Sequence, residues 1–122
     1  MTISNRLTLA TTVAVATVML ASQAAAHAKL LSSNPTANAT VAAPKTITLT
    51  FSEKVAPAFS GFDLVMVEHN VKIPVKTTVS KDGKSIVGTP QGAFVKGSYK
   101  VNWHAASSDG HRMTGDVAFK VN

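Results

Sequence analysis

Few side chains of this sequence could do chemistry. Beyond residue 26 there are four histidines, four aspartates, two glutamates and two methionines, and the chain has no cysteine. The lack of cysteine excludes disulfides, thiolate zinc sites, thiol nucleophiles and iron–sulfur clusters. Among the remaining groups, one combination could form a site from few residues, namely His27 together with Asp109-Gly110-His111.

The donors of this combination suit a metal ion. If export cleavage follows Ala26, His27 becomes the first residue, and its α-amine and imidazole Nδ1 can close a chelate ring. Asp109 and His111, at positions i and i+2, can project to the same side of an extended segment, and Gly110 permits a tight bend between them. Three nitrogens and one oxygen without a thiolate suit Cu(II) better than Cu(I). We therefore predict a Cu(II) site with one ion per chain.

Each part of this site also has a structural interpretation. Asp-x-His alone is most often an ordinary loop sequence, and a histidine after a signal cut is often only a terminal residue. Glu53 follows an alternating apolar segment and is either a solvated strand end or a carboxylate near the metal loop. The other candidates fit structural roles: His69 in a solvated turn, His104 on a polar strand face, and Met66 and Met113 in apolar packing.

The beginning of the chain predicts export. Arg6 is the only charge ahead of an uncharged apolar stretch, which is followed by Ala24-Ala25-Ala26. A short apolar stretch with a small-residue cleavage site is typical of a secretory signal and not of a membrane anchor. We therefore predict a signal peptide at 1–26, an exported domain at 27–122, and no membrane anchor after cleavage. Cuts after Ala24 or Ala28 also fit, and an uncleaved N-terminal helix is the alternative.

The elements that must position these donors have the pattern of β-strands. Apolar and polar residues alternate strictly from Lys45 to Ser52, and again around Val101 and Trp103. Asp82-Gly83 lies between two such segments and predicts a hairpin turn. No segment has a sustained helical period. About seven short strands predict an all-β Greek-key sandwich of two antiparallel sheets, and Gly97-Ser98-Tyr99 predicts a tyrosine corner.

The charge pattern argues against a nucleic-acid partner. The formal net charge is +6, but the ten lysines are scattered singly, with no basic stripe and no interleaved aromatic side chains. A solvated surface explains this pattern better than a nucleic-acid footprint. We expect a monomeric protein without a nucleic-acid partner.

Over residues 27–122 the sequence resembles the CopC family of periplasmic copper-resistance proteins. The landmarks that carry the resemblance are His27-Ala-Lys-Leu30, Ser33-Asn-Pro35, Leu49-Thr-Phe-Ser-Glu53, Phe59-Ser-Gly61, Gly97-Ser-Tyr-Lys-Val-Asn-Trp103, Ser107-Ser-Asp-Gly-His111 and Thr114-Gly115. The resemblance implies a cupredoxin-like or immunoglobulin-like Greek-key β-barrel. It also implies Cu(II) bound by the amine and imidazole of His27, by Asp109 and by His111, with Glu53 in the outer sphere.

The sequence departs from the family at a second site. Some members carry a loop with several methionines and a histidine that binds Cu(I), whereas the corresponding stretch here, Met66 to Val75, has one methionine and one histidine. Because a soft Cu(I) site normally needs several thioethers, we expect a protein that binds Cu(II) only.

The resemblance implies a periplasmic Cu(II) carrier or buffer, not an enzyme, that delivers copper to a CopD-type inner-membrane transport protein. Two alternatives come from other classes. A histidine-brace copper oxidase also uses an N-terminal histidine and a second histidine, but it needs an open coordination position, which Asp109 would fill. A metal-free sandwich module for protein contacts predicts no bound copper and no effect of changing His111.

Overall fold

A computed structural model of the chain describes residues 28–122. The predicted signal peptide at 1–26 and the candidate ligand His27 lie outside the described residues. Within 28–122 no helix is long and apolar enough to span a bilayer. The described elements are β1 (Leu30–Asn34), β2 (Thr40–Val41), β3 (Ile47–Phe51), a 3-10 helix (Pro57–Phe59), β4 (Gly61–Met66), β5 (Val71–Ile73), β6 (Val75–Val79), β7 (Ser85–Pro90), β8 (Gly97–Ala106) and β9 (Arg112–Val121).

These strands form two sheets. One sheet has the strand order β1-β3-β7-β6, and the other has the order β2-β9-β8-β4-β5. Every pairing is antiparallel except that of β2 with β9, which is parallel. The predicted all-β sandwich is confirmed, but residues 28–122 hold nine strands where about seven were expected. The difference lies in β2 and β5, which have two and three residues and show too few alternating positions to be recognised in the sequence.

Pro74 moves the chain from one sheet to the other. It separates β5, at the edge of the five-stranded sheet, from β6, at the edge of the four-stranded sheet. Proline has no N–H group to donate to a strand ladder. Its carbonyl accepts a hydrogen bond from the Gln91 N–H at 2.7 Å, so the chain is held at the point where it changes sheets.

The core consists of the predicted alternating positions. Leu49 and Phe51 of β3 and Val101 of β8 are fully buried. Phe51 packs edge-on against Trp103, with ring centroids 5.2 Å apart. Burying an apolar side chain of this size contributes about 1.5–3 kcal/mol. This burial fixes which face of each strand points inward, and therefore where the connecting loops emerge.

The predicted tyrosine corner is confirmed at the start of β8. The Tyr99 hydroxyl donates to the Val95 carbonyl at 2.7 Å and accepts from the Val95 N–H at 2.9 Å. The ring is fully buried and stacks on Phe119, with centroids 5.7 Å apart. The corner anchors one end of β8, and the opposite end of this strand leads into the Asp109-His111 segment.

Candidate metal centre

Four segments meet at one end of the sandwich, here called the Asp109 end: residues 28–29, 52–60, 80–84 and 107–111. Backbone hydrogen bonds join them, because the Ser52 N–H donates to the Lys29 carbonyl at 2.9 Å and the Val55 N–H donates to the Gly83 carbonyl at 2.8 Å. Val55 also pairs with Ser107 in an isolated antiparallel bridge. The fold therefore places the Asp109 loop beside segments that are distant in sequence.

Residues 107–111 form a tight turn that closes the β8–β9 hairpin. The Gly110 N–H donates to the Ser107 carbonyl at 3.0 Å, and the Ser107 N–H donates to the His111 carbonyl at 3.0 Å. Gly110 has a φ of 86°, in the left-handed region that glycine adopts without a steric penalty. This is the bend that the sequence predicts between the aspartate and the histidine.

Three donors surround the Asp109 carboxylate. Its Oδ1 accepts hydrogen bonds from the Ser107 hydroxyl and, at 3.0 Å, from the His111 backbone N–H. Its Oδ2 lies 2.8 Å from His111 Nδ1. The Ser107 hydroxyl, and after it the His111 N–H, hold the pKa of Asp109 well below its usual range because they stabilise the charged form. Asp109 is therefore an ionised carboxylate at neutral pH.

The Asp109–His111 pair can offer a metal ion one carboxylate oxygen and one imidazole nitrogen. The His111 side chain is 58% exposed and that of Asp109 is 29% exposed, so solvent reaches both. Binding of one ion by both groups requires the ion to replace the proton between His111 Nδ1 and Asp109 Oδ2, since an ion on Nε2 would lie on the far side of the ring from this carboxylate. Between residues 28 and 122, no three His, Asp or Glu side chains are arranged to hold a metal ion. The two remaining predicted donors belong to His27, outside the described residues.

Glu53 lies at the same end of the sandwich. Glu53 is exposed and stands between two anchored residues. Ser52, just before it, is hydrogen-bonded to Lys29, and Val55, two residues after it, pairs with Ser107. This position is compatible with a carboxylate in the outer sphere of a metal site. Its role there stays a prediction.

Ser107 is the part of the site that sequence reasoning missed. Its side chain is 3% exposed, and its hydroxyl donates to the Asp109 carboxylate. A signal for this role is present in the sequence, because a serine also stands two residues before Asp82, and the Ser80 hydroxyl donates to that carboxylate as well. The pattern Ser-x-Asp-Gly thus occurs at two places in this chain, 80–83 and 107–110.

The other candidate residues lie outside the 107–111 turn. His69 is exposed in the turn between β4 and β5, and His104 is exposed within β8. Met66 and Met113 are partly buried and pack against the core. These positions confirm the turn, polar-face and packing interpretations of the four residues.

Fold and site together define a class: small two-sheet β-sandwiches in which an end loop presents an ordered carboxylate beside an exposed imidazole. A family model of the CopC domain matches residues 30–122. The chain belongs to the CopC family.

Similar proteins support this assignment. The chain is 41% identical over 120 residues to copper resistance protein C of Xanthomonas campestris pv. juglandis, which covers 93% of this chain and 94% of that protein. The crystal structure of PcoC, a methionine-rich copper resistance protein from Escherichia coli, is similar at 40% identity with a TM-score of 0.73, over 80% of this chain and 100% of PcoC. The copper transport protein CutJ of Bacillus subtilis is 29% identical over 109 residues, which are 85% of this chain and 20% of CutJ. The expected family and fold are confirmed.

Proposed function

We propose that this protein is a Cu(II) carrier or buffer of the periplasm. Its cargo is one Cu(II) ion per chain, bound by the amine and imidazole of His27, by Asp109 and by His111, with Glu53 in the outer sphere. The observation that carries the proposal is the contact of 2.8 Å between His111 Nδ1 and Asp109 Oδ2, in a turn that keeps the carboxylate ionised. An ionised carboxylate beside an imidazole is a donor combination that suits Cu(II).

The anchoring of the chain directly after His27 supports the role of this residue. Ala28 is buried in the core. The Lys29 N–H donates to the Ser52 hydroxyl, and the Lys29 carbonyl accepts from the Ser52 N–H, both at 2.9 Å. Because consecutive Cα atoms lie about 3.8 Å apart, a donor at the position before Ala28 would be within reach of the Asp109 end. This reach supports donation of both nitrogens of His27 to a site at that end.

The donor set favours Cu(II) over Cu(I). Oxygen and imidazole donors suit the harder Cu(II) ion, whereas Cu(I) prefers several soft thioethers. In residues 28–122 the two methionines, Met66 and Met113, pack against the core, and they belong to β4 and β9. A thioether cluster therefore has no support in the described part of the chain, in contrast to the relative whose structure is described as methionine rich.

The predicted signal and the relatives support a proposal for location and partner. We propose that 1–26 is a signal peptide, that 27–122 is the mature domain, and that this domain is a monomer that delivers copper to a CopD-type inner-membrane transport protein. The CutJ relative supports the partner, because the matched region is only a fifth of a longer copper transport protein. A carrier that works with a separate transport protein would divide the same task between two chains.

A carrier is also favoured over an enzyme. A histidine-brace oxidase needs an open coordination position for oxygen. The Asp109 carboxylate lies against the His111 ring and is held there by the Ser107 hydroxyl and a backbone N–H. A carboxylate fixed at this place would close the position that catalysis requires.

The test compares two forms of the mature chain, one beginning at His27 and one with a single alanine before it. The extra alanine turns the α-amine into an amide nitrogen, whose lone pair is delocalised into the carbonyl. We expect the extended form to bind Cu(II) at least about 10-fold more weakly, a loss that even an outer-sphere partner can cause, with a changed EPR spectrum, since an equatorial nitrogen is lost. A chain with the extra alanine after Asn122 is the matched control. Equal affinities and identical spectra would remove the amine from the site.

A further inference from the structure

An open cleft of about 500 Å³ lies beside the 107–111 turn. Ala56 and Ala106 contribute apolar surface to it, and Phe59 and Arg112 also line it. Ser107 and Gly110 belong to the cleft and to the turn alike. The proposed copper ligands Asp109 and His111 do not line this cleft, although Ser107 and Gly110 of the same turn do.

Hydrogen bonds hold the segment that carries Phe59 in place, and the Phe59 side chain stays exposed in the cleft. The Ala56 N–H donates to the Ala106 carbonyl at 2.8 Å, and the Ser60 hydroxyl accepts from the Ala106 N–H at 3.1 Å. These bonds hold the 3-10 helix Pro57–Phe59 against the end of β8 and leave the Phe59 side chain 58% exposed. An exposed aromatic ring and an arginine around an apolar surface have the composition of an interface hot spot.

Arg112 gives the cleft its charge. It is the exposed first residue of β9 and the charged residue among the described residues that line the cleft. Within residues 28–122, the ion pairs join other residues, and none of them includes Arg112. An unpaired guanidinium favours an occupant with a carboxylate. The excess of lysine and arginine over aspartate and glutamate disfavours a second copy of this chain as that occupant.

We propose that the cleft is the docking surface for the copper acceptor, which packs an apolar side chain on Phe59 and pairs a neighbouring carboxylate with Arg112. The proposal rests on the carrier function proposed above. Because Ser107 and Gly110 belong to the turn that holds Asp109 and His111, an acceptor in the cleft has its own ligands beside the copper ion. Copper passes as Cu(II) by ligand exchange, and each departing ligand of this chain is replaced by one from the acceptor.

The test measures transfer of Cu(II) from the loaded chain beginning at His27 to the CopD-type transport protein in lipid nanodiscs, and in parallel to EDTA. Phe59→Ala and Arg112→Gln should each slow transfer to the transport protein about tenfold, the loss typical of a hot-spot truncation. Extraction by EDTA needs no docking surface, so its rate should change less than about twofold in the two variants. Added salt should slow transfer from the wild type more than transfer from Arg112→Gln.

Val95→Ala and Lys120→Gln are the matched controls, because both residues are exposed and lie outside the cleft. They should transfer copper at the wild-type rate. Wild-type transfer that Phe59→Ala and Arg112→Gln leave unchanged overturns docking in the cleft and leaves the carrier function standing. Absence of transfer from the wild type, with copper still bound, overturns delivery and docking together. Sedimentation that shows a dimer abolished by Phe59→Ala assigns the cleft to a second copy and overturns the proposal.

Discussion

Two turns at the Asp109 end share one design. Ser80–Lys84 and Ser107–His111 both have a serine, any residue, an aspartate and a glycine in this order. In each turn the serine hydroxyl and the N–H of the fifth residue donate to the same aspartate oxygen. The glycine has a positive φ in both, 77° at Gly83 and 86° at Gly110. In both turns the serine hydroxyl is the main reason why the pKa of the aspartate is lowered.

The fifth residue distinguishes the two turns. A protonated lysine such as Lys84 is only a hydrogen-bond donor, whereas an imidazole such as that of His111 has a nitrogen lone pair for a metal ion. Val55 contacts both turns, because its N–H donates to the Gly83 carbonyl and it pairs with Ser107. The comparison shows that both turns hold an ordered carboxylate. The turns differ as candidate metal sites because only the second has an imidazole, that of His111, beside its carboxylate.

Exchanging the fifth residues should have the largest effect. His111→Lys, which makes the second turn resemble the first, should lower Cu(II) affinity by about 100-fold or more, because the imidazole donor is lost. Lys84→His should create no second Cu(II) site, because the proposed site already uses the amine and imidazole of His27. Isothermal titration with Cu(II), with the mature chain as reference, measures both changes. A Lys84→His chain that binds two Cu(II) ions would show that the turn alone makes the site.

Replacing either glycine by alanine should have a smaller effect, a loss of stability that differs between the two turns. Each substitution forces a side chain into the left-handed region and should cost about 1 kcal/mol or more in the free energy of unfolding. Gly83→Ala should cost more than Gly110→Ala, since the new Cβ would lie 3.2 Å from the Lys54 Cγ, whereas at Gly110 no heavy atom lies within 4 Å. Urea denaturation of the copper-free chains measures the difference. A larger loss for Gly110→Ala would contradict the difference in packing.

The smallest expected effect is a shared dependence of stability on pH. Both aspartates have a lowered pKa in the folded chain, so their stabilisation is present above the ordinary aspartate pKa of 3.8 and is lost as the pH falls below it. Asp82→Asn and Asp109→Asn should therefore lower the melting temperature of the copper-free chain near pH 7. The difference from the wild type should shrink towards pH 2. Melting curves that differ from the wild type by the same amount at both pH values would contradict this account.

The sequence predicted the features that depend on neighbouring residues. Asp109 and His111 are two residues apart, so their contact follows from the bend at Gly110, and the Asp82-Gly83 hairpin is confirmed for the same reason. The burial of Ser107 was not predictable, because it depends on the pairing of this residue with Val55. The parallel pairing of β2 with β9 was missed on similar grounds, since two residues carry no readable period.

By itself, the sequence determined the kinds of candidate donor, the inward face of each long strand and the conformation of the two Ser-x-Asp-Gly turns. These properties arise within a few residues, where side-chain period and glycine dihedral angles decide the outcome. Only the tertiary structure decided that residues 28–29, 52–60, 80–84 and 107–111 meet at one end and leave a cleft between Phe59 and Arg112. Contacts of this kind join distant parts of the chain, and the packing of two sheets on one core sets their geometry.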